Sequence, residues 1–217
     1  MKTLFLILVA FSCHAADLGF CYDRQRWPET AALSRLGGAS VFNINNGRGA
    51  SAGEKKDWDA FKNRCRTVGG KILGYVDFNN ESGKRKADTA IFAEVAEWMR
   101  AGYDGIWGDD TRDRVIDATL LLYIARSFPG KLVIGNPGMR CKGALKSSGI
   151  LLCEHEDLSP INWDSRVIIA LVDSAKEAAA VRAKARVKKT AFIAVEPRSA
   201  YHVDGVEYQE EDPFALK

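Results

Sequence analysis

Apolar and polar positions along the chain follow two alternating periods. Short runs rich in Val, Ile, Leu and Phe end in polar or Gly-rich residues. Longer stretches with helical spacing then lead to the next run. The β-like runs are "LGFCYD", "ASVFNIN", "KILGYVDF", "DGIWGDD", "KLVIGN", "GILLCEHE", "RVIIALVD" and "TAFIAVE", eight in all. Between most of them lie helical patterns: "ETAALSRL", "DWDAFKNRCRTV", "DTAIFAEVAEWMRA", "VIDATLLLYIARSF" and "SAKEAAAVRAKARV". Within "IFAEVAEWM", Ile91, Val95 and Trp98 recur at spacings that share one helix face. The fifth-to-sixth connection, "MRCKGALKSS", has room for one short helix, and the sixth-to-seventh, "DLSPINWDS", reads as loop.

Strands that alternate with helices predict a parallel sheet, because parallel neighbours need crossover connections. Eight such units predict an α/β fold of the (β/α)8 TIM-barrel type in a single domain. A doubly wound open sheet is the alternative. It usually has fewer strands, and the one Gly-rich candidate here, "NNGRGASAG", lacks both the Walker ending and the dinucleotide fingerprint.

Composition narrows this picture only a little. The chain has 217 residues, 47% hydrophobic and 27% charged, enough for one sizeable core. A formal net charge of +3 gives no reason to expect a nucleic-acid partner. The densest basic run, "VRAKARVKK", alternates with Ala and Val and reads as a solvated helix face.

The amino terminus has the form of a signal peptide: Lys2, then the apolar "TLFLILVAF", then small residues. Cleavage after Ala15 makes residues 1–15 the signal and 16–217 the barrel domain. A lipoprotein site at Cys13 is the competing reading, with Phe11 a poor fit beside it. The apolar run is short for a bilayer span, and no later segment is apolar enough to anchor the chain. The expectation is a secreted or periplasmic monomer without a membrane span. In an oxidising compartment the remaining cysteines, Cys21, Cys65, Cys141 and Cys153, can form disulfides. Cys141 and Cys153 flank one short unit and are the favoured pair, which leaves Cys21–Cys65 by elimination. A zinc site is not expected, since there is no Cys-x-x-Cys and only His155 and His202 remain after the signal.

In a parallel barrel the carboxyl ends of the strands line the face that carries catalytic residues. Here those ends are mostly carboxylates and carboxamides: Tyr22 and Asp23, Asn43, Asn45 and Asn46, Tyr75 and Asp77, Asp109 and Asp110, Asn136, Glu154 and Glu156, Asp173, Glu196. Such a face suits a polyhydroxylated or cationic ligand. Taken singly, Asp23, Asp77 and Asp173 fit helix caps, Asn45 and Asn46 fit a turn before Gly47, and the tyrosines fit packing. Asp109 and Asp110 together exceed what a cap requires, as do Glu154 and Glu156, which share strand parity. Glycosidic hydrolysis needs one protonated and one ionised carboxyl group, and acids on separate strand ends can supply both. Serine-nucleophile chemistry fits poorly, for want of Gly-x-Ser-x-Gly and of histidines.

The succession "KILGYVDF", "AEWMRAGYDGIWGDD", "KLVIGNPG" and a strand ending in Glu resembles the spherulin-4-like glycoside hydrolases, relatives of the secreted endo-α-1,4-polygalactosaminidases. The likeness covers most of the chain after the signal. It implies a (β/α)8 barrel that cleaves galactosamine- or N-acetylgalactosamine-containing exopolysaccharide without metal or organic cofactor. It also implies Asp109 and Glu154 as the catalytic pair, with Asp110 standing where the family commonly has Glu and Glu156 able to take the place of Glu154. Asp109 is expected as nucleophile or electrostatic stabiliser and Glu154 as acid/base. Tyr22, Asn45, Tyr75, Asp77, Asn136, Glu156 and Asp173 are expected to hold the sugar. The family often has His at the seventh strand end, where this chain has Val172 and Asp173. A non-catalytic polysaccharide-binding protein on a degenerate barrel is the alternative function. A metal-dependent deacetylase is the third, disfavoured by the scarcity of histidine.

Overall fold

The computed structural model describes residues 16–21, 39–42, 59, 62–63, 66, 70–80, 82–155 and 160–198. Eight strands form in the expected order: β1 (Ala16–Cys21), β2 (Ala39–Phe42), β3 (Lys71–Asp77), β4 (Gly105–Asp109), β5 (Leu132–Gly135), β6 (Leu151–Leu152), β7 (Val167–Val172) and β8 (Phe192–Pro197). The helices whose full span is described are α1 (Asp88–Arg100), α2 (Val115–Ser127), α3 (Ala144–Ser147) and α4 (Ala175–Val187). Asp59, Lys62, Asn63 and Arg66 are helical as well, within the predicted "DWDAFKNRCRTV" segment. The signal segment and the predicted helix "ETAALSRL" lie outside the described residues.

Every strand pair is parallel, and the sheet order is β6-β5-β4-β3-β2-β1-β8-β7. That is the cyclic order of a (β/α)8 barrel, opened between β6 and β7. The parallel α/β sheet of the expected barrel is present, and its closure is not: among the described residues no ladder joins those two strands. β6 is only two residues long, too short to offer a ladder to both neighbours. Side chains cross the gap instead. Ser165 Oγ lies 2.8 Å from Leu152 O and 2.7 Å from Val167 O, and accepts the Glu154 N–H at 3.1 Å. Asn162 Nδ2 donates to Glu154 O at 3.1 Å.

Strand alternation sorts the core into layers. Leu73, Trp107, Ile134, Cys153, Val167 and Phe192 meet in a central cluster with Leu18 and Ala194, so the sheet curls around its own interior. Their chain neighbours Ile72, Ile106, Val133 and Leu152 face outward, onto α1 and α2. Ile168 and Ile193 likewise face α4 in a third cluster with Ala178, Val181 and Ala185. Ile91, Val95 and Trp98 form the buried stripe of α1, as their spacing predicts. At Gly74 the outward face must be bare, because a Cβ there would lie 2.3 Å from the Trp98 ring. In α4, Val181 and Ala185 are buried while Lys184, Arg186, Lys188 and Lys189 are exposed, so "VRAKARVKK" is the solvated face expected.

The same alternation overturns the favoured disulfide. Cys141 and Cys153 are both free thiols. Cys153 points into the central cluster and meets the Ile169 backbone N–H, whereas Cys141 packs in the helix-side cluster. They sit on opposite faces of the sheet. Cys65 and the Cys21 side chain lie outside the described residues.

Candidate active site

The last residues of β3 and β4 create the site. Asp77 and Asp109 are register partners on these neighbouring strands. Leu73 and Tyr75 on β3, and Trp107 on β4, belong to the central cluster, so parity carries Asp77 and Asp109 to the same inner face. Asn136 follows Gly135, the register partner of Gly108, and so falls level with Asp109 on the next strand. The three side chains stand at the carboxyl ends of three adjacent strands.

Hydrogen bonds fix this row. Tyr75 Oη donates to Asp109 Oδ2, and Asn136 Nδ2 donates to Asp109 Oδ1 at 2.7 Å. That leaves Asn136 Oδ1 facing His155 Nε2 at 3.2 Å. A carboxamide oxygen only accepts, so this bond forms in the tautomer that carries its hydrogen on Nε2. The result is one connected line, Tyr75–Asp109–Asn136–His155. Asp77 Oδ1 accepts the Asn79 backbone N–H at 2.7 Å, and Asn79 Nδ2 reaches Asp110 Oδ2 at 3.1 Å. Asp110 is exposed and adopts φ 52°, which turns the chain out of the sheet directly after Asp109. Aspartate tolerates this left-handed conformation better than most residues. Adjacent carboxylates at the end of a buried strand are therefore accommodated by sending one inward and one outward.

Burial pushes the Asp109 carboxyl above the ordinary range. The donors Tyr75, Asn136 and the Asp110 N–H hold it back, and the Asp110 charge adds to the rise. Asp77 is also raised, first by burial, against the Asn79 N–H, and then by the charges of Asp110 and Asp109. Both acids therefore keep a proton more readily than exposed aspartates do, chiefly because burial disfavours their charged forms.

Not every expected residue joins this row. Asp109, Asp110, Tyr75, Asp77 and Asn136 come together. Glu154 has other partners. Its side chain is 3% exposed and ion-paired with Lys146, while Oε1 accepts the Cys141 N–H at 3.0 Å. Those partners belong to α3 and the loop before it, which pack through Leu145 and Cys141 in the helix-side cluster. Asp173 is also apart: it is exposed at the end of β7 and pairs with Arg198 at 3.1 Å. Ser174, not Asp173, caps α4, with its side chain accepting the Glu177 N–H. Tyr22, Asn45 and Glu156 lie outside the described residues. His155 joins the row although it is not among the expected site residues. Its signal was parity, since it alternates with Glu154 and shares the face of Cys153. Among the described residues no group of three or more His, Cys, Asp or Glu is arranged to hold a metal ion. No helix among them is long and apolar enough to cross a membrane.

No family model and no curated protein sequence matches this chain. Solved structures share its fold. CpGH84B superposes with a TM-score of 0.57 at 10% identity, over 86% of this chain and 45% of that one. A Coccidioides immitis protein named as a fructose-1,6-biphosphate aldolase gives 0.53 at 11% identity, over 87% and 78%. The carboxyl transferase domain of Rhizobium etli pyruvate carboxylase gives 0.51 at 10% identity, over 85% and 40%. This chain thus spans less than half the length of the first and third. The likeness is one of fold, a parallel α/β architecture of the TIM-barrel kind, and these neighbours differ in their named chemistry.

Proposed function

We propose that this chain is a glycoside hydrolase that cleaves a polysaccharide containing galactosamine or N-acetylgalactosamine. The observation that carries the reading is the pairing of Asp77 with Asp109 at the ends of β3 and β4, both with raised pKa. The sequence likeness to the spherulin-4-like hydrolases supports the substrate class, and CpGH84B supports only the barrel on which the site stands. Asp109 has the donors Tyr75, Asn136 and its own following N–H, which favour its anion, so it serves as nucleophile or charge stabiliser. Asp77 has one backbone donor and two neighbouring charges, so it holds the proton and protonates the leaving oxygen. Neighbouring strands lie about 4.8 Å apart. Retaining enzymes hold their two carboxyl groups roughly 5–5.5 Å apart and inverting ones roughly 6.5–9.5 Å, so the anomeric configuration of the product tells which of the two applies. The amino-terminal segment supports export before action.

A non-catalytic glycan-binding barrel is the second reading. It is favoured by the engagement of Glu154 with Lys146, which withdraws the sixth-strand acid that the family likeness implies. One experiment separates the two. Purified protein is incubated with α-1,4-polygalactosamine and with partly N-acetylated galactosaminogalactan, and new reducing ends are counted. The hydrolase releases them, with the anomeric configuration of the product read by NMR, and Asp109→Asn and Asp77→Asn each abolish release. Binding without release from any polymer would establish the second reading.

A further inference from the structure

Asp113 clasps two loops at the rim of the site. Its Oδ2 accepts the Lys142 N–H at 2.8 Å and the Gly143 N–H at 2.6 Å, and its Oδ1 accepts the Leu145 N–H at 3.0 Å. One loop leaves β4 just after Asp109 and Asp110, and the other leaves β5 just after Asn136. The clasp gathers Arg112 and Arg114 with Arg140 and Lys142, all four exposed. None of them has an ion-pair partner among the described residues. Among the described residues, three acids beside these loops are occupied: Asp113 by backbone N–H groups, Asp117 by Arg85 and the Arg112 N–H, and Glu154 by Lys146.

A row of acids at the strand ends with exposed cations on the loops that follow fits a particular kind of chain. Resting on the glycan reading of the Asp109 site, we infer that the substrate alternates an uncharged or amino sugar, seated at Asp77 and Asp109, with a sugar bearing an anionic group that lies over Arg112, Arg114, Arg140 and Lys142. A nucleic acid fits less well, because a phosphate on every unit would also fall against Asp77, Asp109 and Asp110. Carboxylate and sulfate substituents share the chemistry the rim recognises. The attraction is one of exposed charges, so it fades as salt shortens the screening length.

Affinity electrophoresis of the intact protein tests this, with mobility read against a polymer-free gel. The gels contain unsulfated chondroitin (alternating N-acetylgalactosamine and glucuronate), dextran sulfate, neutral dextran or duplex DNA. Chondroitin is expected to retard the protein and dextran to leave it unretarded, with retardation lost on adding salt. Dextran sulfate shows whether sulfate serves as well as carboxylate. Arg140→Glu/Lys142→Glu is expected to weaken chondroitin binding by about tenfold, since each reversal replaces an attraction with a repulsion. Arg112→Glu/Arg114→Glu gives an independent second variant. Equal retardation by dextran, binding that survives both charge reversals, stronger retardation by DNA than by chondroitin, or no retardation by either anionic glycan would overturn the inference. Since binding is read without cleavage, a protein that binds chondroitin but releases no reducing ends leaves the rim standing and removes only the hydrolase.

Discussion

Glu154→Gln decides whether the sixth-strand acid acts on a substrate or on the fold. The side chain is 3% exposed, and its partner Lys146 is 46% exposed. Glutamine keeps an acceptor for the Cys141 N–H but offers Lys146 a neutral oxygen. A hydrogen bond to a charged group contributes about 1.5–3 kcal/mol and a neutral one about 0.5–1.5 kcal/mol. The exchange therefore costs roughly 1 kcal/mol, and less if Lys146 turns into water. For a chain of this size that lowers Tm by roughly 2–4 °C. Lys146→Met is harsher, because it strands a buried carboxylate. Breaking a fully buried pair costs about 3–5 kcal/mol. The open side of Lys146 reduces the expectation here to about 2 kcal/mol. The double variant Glu154→Gln/Lys146→Met removes the stranded charge and should recover much of that loss. Urea unfolding followed by circular dichroism gives the order, with Lys146→Met least stable. The reducing-end assay on the same preparations should find Glu154→Gln close to wild type. Lost turnover in Glu154→Gln with unchanged stability would return this residue to the reaction and refute the structural assignment. So would a Lys146→Met variant as stable as wild type.

The other expectations follow from single contacts. Asp109→Asn should fold normally and lose turnover. Because the native pKa of Asp109 is raised, wild type loses stability as pH rises from 3.8 through that raised value, so the Tm of the variant minus that of wild type should grow over this window; a flat difference refutes the burial argument. Asp113 is the opposite case. Against the upward pull of burial, the Gly143, Lys142 and Leu145 N–H groups hold its pKa down, so its contribution is present above 3.8 and is lost as pH falls through the lowered value. Asp113→Ala should cost about 1–2 kcal/mol near neutrality, as loss of a helix cap does, and should speed hydrogen exchange at residues 142–145; unchanged exchange there refutes the clasp. Gly74→Ala puts a Cβ 2.3 Å from Trp98 Cγ and Cδ2. It should destabilise by about 1–3 kcal/mol in urea and shift the tryptophan emission; a neutral result means that Trp98 has another rotamer to use. Burial pushes the Cys141 thiol up to about 11, and the Cys153 thiol higher still. Native protein at neutral pH should therefore resist iodoacetamide at both residues, with mass spectrometry finding label only after unfolding.

Much of the frame was legible in the residues themselves. Eight apolar runs became eight strands, and Ile91, Val95 and Trp98 became the buried stripe of α1. Periodicity reports such features because each depends on a residue's own neighbours along the chain. The oddity of Asp109 was legible for the same reason, since two adjacent acids ending a buried strand contradict local preference. What periodicity leaves open is which parity faces the interior. "CEHE" reads equally well with Glu154 or His155 inward, and only packing sent Cys153 and His155 to the inner face and Glu154 to Lys146. That single choice of face gives Glu154 and His155 different partners, and it sets Cys141 apart from Cys153. The pairing of Asp77 with Asp109 needed strand register, which links residues 32 positions apart through hydrogen bonds that no local pattern records. The sequence alone thus determined which segments are strands and which positions carry acids. Tertiary structure decided which acids share a face, because that depends on how strands line up and which side the core takes.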